Sequence, residues 1–254
     1  MSRMPAAWVL LRGLTREARH WGDFPERLAA RLGTTVHCLD LPGNGRLNNL
    51  PSLESVESMA DWCHAEIGRI GMEGPCAVLA MSLGAMVAVA WAERYPADIE
   101  RAALINTSLR PYSAPWQRLR PGNYLRLLRL LALPASARQI EEGILSMTSR
   151  RPDTAVVDRW VALRADNPVS RRNALRQLFA AAAYCGPPCR PCGRLLLLAS
   201  ARDGLVAPAC SLLLAERWDV PLHINPEAGH DLPLDDPQWV TRQLEAWQGS
   251  DPGG

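Results

Sequence analysis

Ser82 is the one hydroxyl in the apolar run VLAMSLGAMVA (residues 78–88), with Ala80 two positions before it and Gly84 two after. A serine flanked in this way fits a sharp strand-to-helix turn, where bulky neighbours would collide and the hydroxyl is left exposed. The usual glycine at the first flanking position is an alanine here, the least intrusive substitute. A serine hydroxyl attacks a carbonyl only when a base takes its proton, and the base must be oriented by a carboxylate. Of five histidines, only His230, in EAGHDLP, lies in a loop just past the last apolar strand run. His37 and His223 fall inside strand runs, and His64 sits in a helical stretch. Asp203, in SARDGLV, follows another strand run. Asp231, Asp235 and Asp236 are too near His230 along the chain to reach its far side easily, and Asn106-Thr107 offers no carboxylate. The candidate set is therefore Ser82, Asp203 and His230, in that order. A plain helix N-cap at Ser82 and a turn aspartate at Asp203 are the structural alternatives.

These residues act together only if parallel strands deliver them to one edge. Short apolar runs alternate with helical patterns, which is the signature of an α/β protein. The runs Ala6–Leu11, Thr34–Leu39, Pro75–Ala80, Ala102–Asn106, Arg194–Ser200 and Pro221–Asn225 predict six strands, apolar on both faces and covered by helices. Helices are expected over Phe24–Leu32, Leu53–Ile70, Leu83–Tyr95, Pro208–Trp218 and Pro237–Trp247. All three candidate residues then fall at the C-terminal ends of parallel strands, where ligands bind in such sheets. Between Asn106 and Arg194 the strand rhythm stops. That segment is rich in leucine, alanine and arginine and broken by prolines, so it reads as inserted helices. Its stretch from Leu109 to Arg176 has 13 arginines against 5 acids, a net of +8, whereas the remainder is −6. Leucines 127 and 130, and 125, 128 and 131, lie on helical faces. They could pack the insert onto the core, line an acyl-chain tunnel, or rest on a membrane surface.

The segments VLLRG-LTREARHW, LDLPGNGR, AMSLGA, SARDGLV and AGHDLPLDDPQW occur in the order and spacing of the α/β-hydrolase family. The chain resembles that family across nearly its whole length. The resemblance implies an α/β-hydrolase fold with a mainly parallel sheet of about six strands flanked by helices. It divides the chain into a core (1–107 and 194–250) and a helical cap insertion (108–193); the composition of the tail, GSDPGG, predicts disorder at 251–254. The resemblance implies Ser82 as nucleophile, His230 as base and then acid, and Asp203 as its orienting partner. It also implies an oxyanion hole formed by the backbone N–H groups of Leu14 and Leu83. Arg12 stands where the family often has histidine, and could pair with an acid below the site or hold an anionic substrate. Arg12, His20 and Trp21 are the substrate-pocket candidates. Ester or thioester hydrolysis is the leading chemistry. Relatives use the same residues for C–C bond cleavage or menaquinone-pathway elimination, and a non-catalytic binding protein is the remaining alternative. In size and layout the chain is also similar to the family's pimeloyl carrier-protein methyl ester esterases, whose cap arginines dock an acidic carrier, implying a substrate that could be carrier-bound.

Composition narrows the rest. All 28 basic residues are arginine, which excludes lysine Schiff-base chemistry and a P-loop lysine. A net charge of +2 gives no sign of a nucleic-acid partner. The apolar run before Arg12 spans six residues, too short for a signal peptide, and no run approaches the ~18 residues needed for a membrane span. A cytoplasmic location with seven reduced cysteines is expected. Cys185, Cys189 and Cys192 in CGPPCRPC have no fourth ligand nearby, so neither a metal nor another cofactor is expected.

Overall fold

The computed structural model describes residues 7–249 apart from Glu73 and Pro152. The expected tail at 251–254 lies outside the described residues. Six parallel strands form one sheet: β1 (Trp8–Leu11), β2 (Val36–Leu39), β3 (Cys76–Met81), β4 (Ile99–Ile105), β5 (Arg194–Ser200) and β6 (Leu222–Asn225). Their spatial order is β2-β1-β3-β4-β5-β6. The chain therefore steps one way from β1 to β2, then crosses back past β1 to β3. The loops leaving β1 and β3 diverge at this switch point, opening a crevice at the C-terminal ends of the strands.

Alternate strand residues point to opposite faces, and both faces are apolar, as a sheet covered on two sides requires. Val9, Leu11, Val78, Ala80, Leu104 and Leu197 pack with α2 (Val56–Arg69), α3 (Leu83–Arg94) and α9 (Ala209–Trp218). Trp8, Leu10, Leu79, Ile105 and Leu198 pack with α1 (Phe24–Leu32) and α11 (Pro237–Gly249) through Phe24, Leu28, Val240 and Leu244. Helix α3 is buried from Leu83 to Ala92, which explains why its sequence is apolar all round. Most element ends lie within two residues of the sequence expectation, and two starts differ by three. Strand β4 starts at Ile99: Glu100 and Arg101 interrupt the apolar run, yet the strand continues through them, with a register shift against β3 between Cys76 and Ala77. Helix α2 starts at Val56, because the Ser55 side chain accepts from Ser58 N–H and caps it there.

Between β4 and β5 the chain forms α4 (Pro115–Arg118), α5 (Tyr124–Ala132), α6 (Ala137–Thr148), α7 (Thr154–Asp166) and α8 (Arg171–Ala183). Helices α6 and α7 share a small core of Leu145, Val156, Val157 and Trp160. The insert is tied to the sheet end by backbone bonds from Asp231 N–H to Thr148 O (2.7 Å) and from Arg120 N–H to Leu205 O (2.9 Å). A short helix, α10 (Leu232–Asp235), follows His230. The return loop to β5 carries Cys185 and Cys189 exposed and Cys192 half-buried, and all seven cysteines are free thiols. Burial pushes the Cys192 thiol up to about 11.

Candidate active site

Ser82 occupies the junction of β3 and α3 with φ 76° and ψ −110°, a left-handed conformation that a serine adopts only under constraint. The constraint is visible on both sides. Ser82 N–H donates to Ile105 O (3.1 Å), and Ser82 O accepts Met86 N–H to open the helix. A Cβ at Gly84 would lie 2.6 Å from Arg12 O and 2.7 Å from Leu11 O, so only glycine lets α3 approach the end of β1.

His230 arrives on the loop after β6 and is almost fully buried. Its Nε2 lies 3.1 Å from Ser82 Oγ, and its Nδ1 lies 2.7 Å from Asp203 Oδ2. A carboxylate only accepts, so Nδ1 carries the ring proton and Nε2 presents its lone pair to the serine hydroxyl. The other Asp203 oxygen accepts the N–H groups of Leu205 (2.8 Å) and Val206 (2.9 Å), which fix the carboxylate plane. Asp203 is thus a turn aspartate as well as a histidine partner. A brace not foreseen from the sequence comes from Asn106, at φ 46° beyond β4. Its amide donates to His230 O (2.8 Å) and Ser200 Oγ (3.0 Å), and its carbonyl accepts Ser200 N–H (2.9 Å).

Gly13 packs against Ser82: a Cβ added there would lie 3.3 Å from Ser82 Cβ. The next residue, Leu14, lines the same cavity as the Ser82 hydroxyl, and Leu83 begins α3. Among the described residues, neither N–H has a hydrogen-bond acceptor. The following loop is held in place because Thr15 N–H donates to Gln177 Oε1 (2.8 Å).

The pocket candidates divide. Arg12 lines the cavity, but its guanidinium is engaged, donating to both oxygens of Asp231 (3.0 and 2.5 Å) and lying 4.7 Å over the Trp21 ring. Asp231, set aside as a partner for His230, thereby ties the histidine loop to the loop after β1. His20 and Trp21 do not line the cavity, contrary to the sequence expectation. Their loop forms a short turn (Ala18–Trp21) that directs Trp21 into the core against Phe24 and His20 against Trp160.

Above Ser82 and His230 the insert encloses a cavity of about 180 Å³. Its apolar wall includes Leu127, Leu130 and Leu131 of α5 and Ile140, Ile144 and Met147 of α6. Leu125 and Leu128 of α5 face solvent instead, so the two leucine faces have different roles.

A sequence profile of the alpha/beta hydrolase family matches residues 8–243. The chain belongs to this family. Over 93 residues it is 37% identical to the pimeloyl-[acyl-carrier protein] methyl ester esterase of Chromobacterium violaceum, a match covering 36% of this chain and 34% of that relative. The chain thus spans about a third of the length of the curated relative it matches. Among solved structures it is similar to the 2-hydroxy-6-oxo-6-phenylhexa-2,4-dienoate hydrolase of a Rhodococcus strain (TM-score 0.79, 21% identity, 97% of this chain and 91% of that one). It is also similar to a thermophilic esterase from Thermogutta terrifontis (TM-score 0.77, 20% identity, 97% and 90%). At these identities the structural likeness speaks for the fold alone. No helix among the described residues is long and apolar enough to cross a membrane.

Proposed function

We propose that this α/β-hydrolase cleaves carboxylic esters or thioesters through an acyl-enzyme on Ser82. The observation that carries this reading is the unbroken chain Asp203–His230–Ser82, which opens into an apolar cavity. Ser82 Oγ attacks the ester carbonyl as its proton passes to His230 Nε2, and Asp203 stabilises the imidazolium through Nδ1–H. The oxygen that becomes negative accepts from the N–H groups of Leu83 and Leu14. Both are free to donate at the moment charge develops, and one such donor contributes about 2.7–4 kcal/mol. The tetrahedral adduct then collapses, breaking the bond to the alcohol or thiol, which leaves with the proton from His230. Water, deprotonated by the same nitrogen, attacks the acyl-enzyme and releases the acid, and the proton returns to Ser82.

In this reading the insert at 108–193 is a cap that supplies the acyl-chain wall, and residues 1–107 with 194–250 form the catalytic core. Leu127, Leu130 and Leu131 favour a hydrophobic acyl group. The enclosed apolar cavity between α5, α6 and Ser82 suits short to medium acyl lengths. The exposed arginines Arg126 and Arg129 on α5 support a carrier-bound ester as one form of substrate.

Hydrolysis of p-nitrophenyl esters across acyl lengths, with wild type beside Ser82→Ala, tests the proposal. Wild type turns over an acyl series that peaks at short or medium length, and Ser82→Ala loses about 10⁴-fold or more in kcat. Equal rates in the two proteins contradict the reading.

A further inference from the structure

The cavity over Ser82 is apolar along its length yet carries four arginines on its wall, Arg12, Arg16, Arg164 and Arg171, and a single carboxylate, Asp231. Asp231 is already matched by Arg12. Arg16 and Arg164 share one buried partner: Arg16 Nη1 donates to Glu141 Oε2 (2.7 Å) and Arg164 Nε to Glu141 Oε1 (2.5 Å). Two guanidiniums on one carboxylate leave a positive charge uncompensated in a place where water cannot screen it well. At Arg16, 6% exposed, Nη2 has no hydrogen-bond partner among the described residues. Arg16 also lies 4.2 Å over the Trp160 ring, which fixes the plane of its fork. Burial above all, then the neighbouring Arg12 and Arg164, press its pKa down against the pull of Glu141. The guanidinium is held rigid, under-neutralised and short of one acceptor, on the wall of the same cavity as the serine.

We infer that Arg16, with Arg164, forms an anion-binding subsite that selects esters whose acyl group bears a carboxylate. The inference rests on the hydrolase reading and sharpens its substrate class. An ionised carboxyl at the far end of a short methylene chain accepts from Arg16 Nη2, its methylenes lie along the α5 and α6 leucines and isoleucines, and the ester carbonyl sits at Ser82. A neutral acyl chain of equal length leaves the guanidinium unmatched. A half ester of a dicarboxylic acid therefore fits better than a simple fatty ester.

The test compares monomethyl adipate with methyl hexanoate at pH 7.5, where the free carboxyl is ionised. Wild type shows a kcat/KM at least about tenfold higher for the half ester. Arg16→Gln brings the ratio of the two near one, and Arg16→Lys, which keeps the charge, restores part of it. The triple variant Arg16→Met/Glu141→Gln/Arg164→Met guards against misfolding, because it removes the acid together with both of its partners, and it also brings the ratio near one. A wild-type ratio of one or less overturns the subsite, as does a ratio unchanged in folded Arg16→Gln or in the triple variant. Ser82-dependent hydrolysis of methyl hexanoate without half-ester preference rejects the subsite and leaves the hydrolase standing. If neither ester is turned over, the hydrolase reading fails, and thermal stabilisation by adipate decides the subsite alone: present in wild type and lost in Arg16→Gln, it upholds the site, and absent in wild type, it overturns it.

Discussion

His20 shows how a residue next to a site differs from a residue in it. Glu17 N–H faces its Nδ1 at 3.2 Å and Arg16 Nη1 faces its Nε2 at 2.9 Å, so both ring nitrogens meet donors. A neutral imidazole can accept from one of them, and an imidazolium from neither. Burial, followed by the charges of Arg16 and Arg12, accordingly holds its pKa well below the usual 6.5. The sign of the linkage follows. The unfolded chain takes up a proton at His20 near pH 6.5, whereas the folded protein refuses it until the pH is much lower. Its contribution is present above pH 6.5 and is lost as pH falls, by at most about 1.4 kcal/mol per pH unit. His20→Gln is expected to flatten the fall in Tm between pH 7 and pH 5. An unchanged slope in thermal melts at the two pH values contradicts this account. Nothing in the dipeptide His20-Trp21 shows this role, because it depends on Arg16, four residues earlier, being held by Glu141, and on Trp160 arriving from the insert.

At the scale of elements, the loops after β1 and β2 and helix α8 meet on Gln177, which is almost fully buried. Its carbonyl accepts Thr15 N–H, and its amide donates to Asn44 Oδ1 (2.8 Å) and Ser52 Oγ (2.9 Å). Gln177→Ala leaves those groups unpaired, and a loss of about 1–3 kcal/mol in unfolding free energy is expected. Because Thr15 follows the proposed oxyanion donor Leu14, kcat for a small neutral ester should also fall about tenfold, less than the ~10²–10³ of losing a donor outright. Chemical denaturation and steady-state kinetics check both parts, and an unchanged kcat shows that this anchor does not position the loop. The strands were legible because doubly covered parallel strands read as unbroken apolar runs. Ser82, Asp203 and His230 were legible because each follows such a run. Gln177 was not, since its partner Thr15 lies 162 residues away and a lone glutamine in a polar helix carries no local signal. Arg16, Glu141 and Arg164 were hidden for the same reason, among many arginines of ordinary appearance.

Over the whole molecule, charge is divided between the two parts of the chain, with +8 on 109–176 and −6 on the remainder. Part of the insert's excess meets acids of the remainder, as in the pairing of Arg176 with Glu54. Arg126 and Arg129 are exposed on α5 and pair with no acid among the described residues, so they are available to an acidic partner. Arg126→Glu together with Arg129→Glu should lower kcat/KM on a carrier-bound ester by about tenfold, with a weaker salt dependence, and spare the free ester. Equal losses on both esters contradict a docking role. The central claim, however, concerns one oxygen atom. Intact-mass spectrometry after treatment with a fluorophosphonate at pH 7.5 tests it most directly. The account predicts a single adduct, mapped to Ser82 and absent in Ser82→Ala. An unmodified folded wild type, or an adduct on another residue that persists in Ser82→Ala, would contradict it.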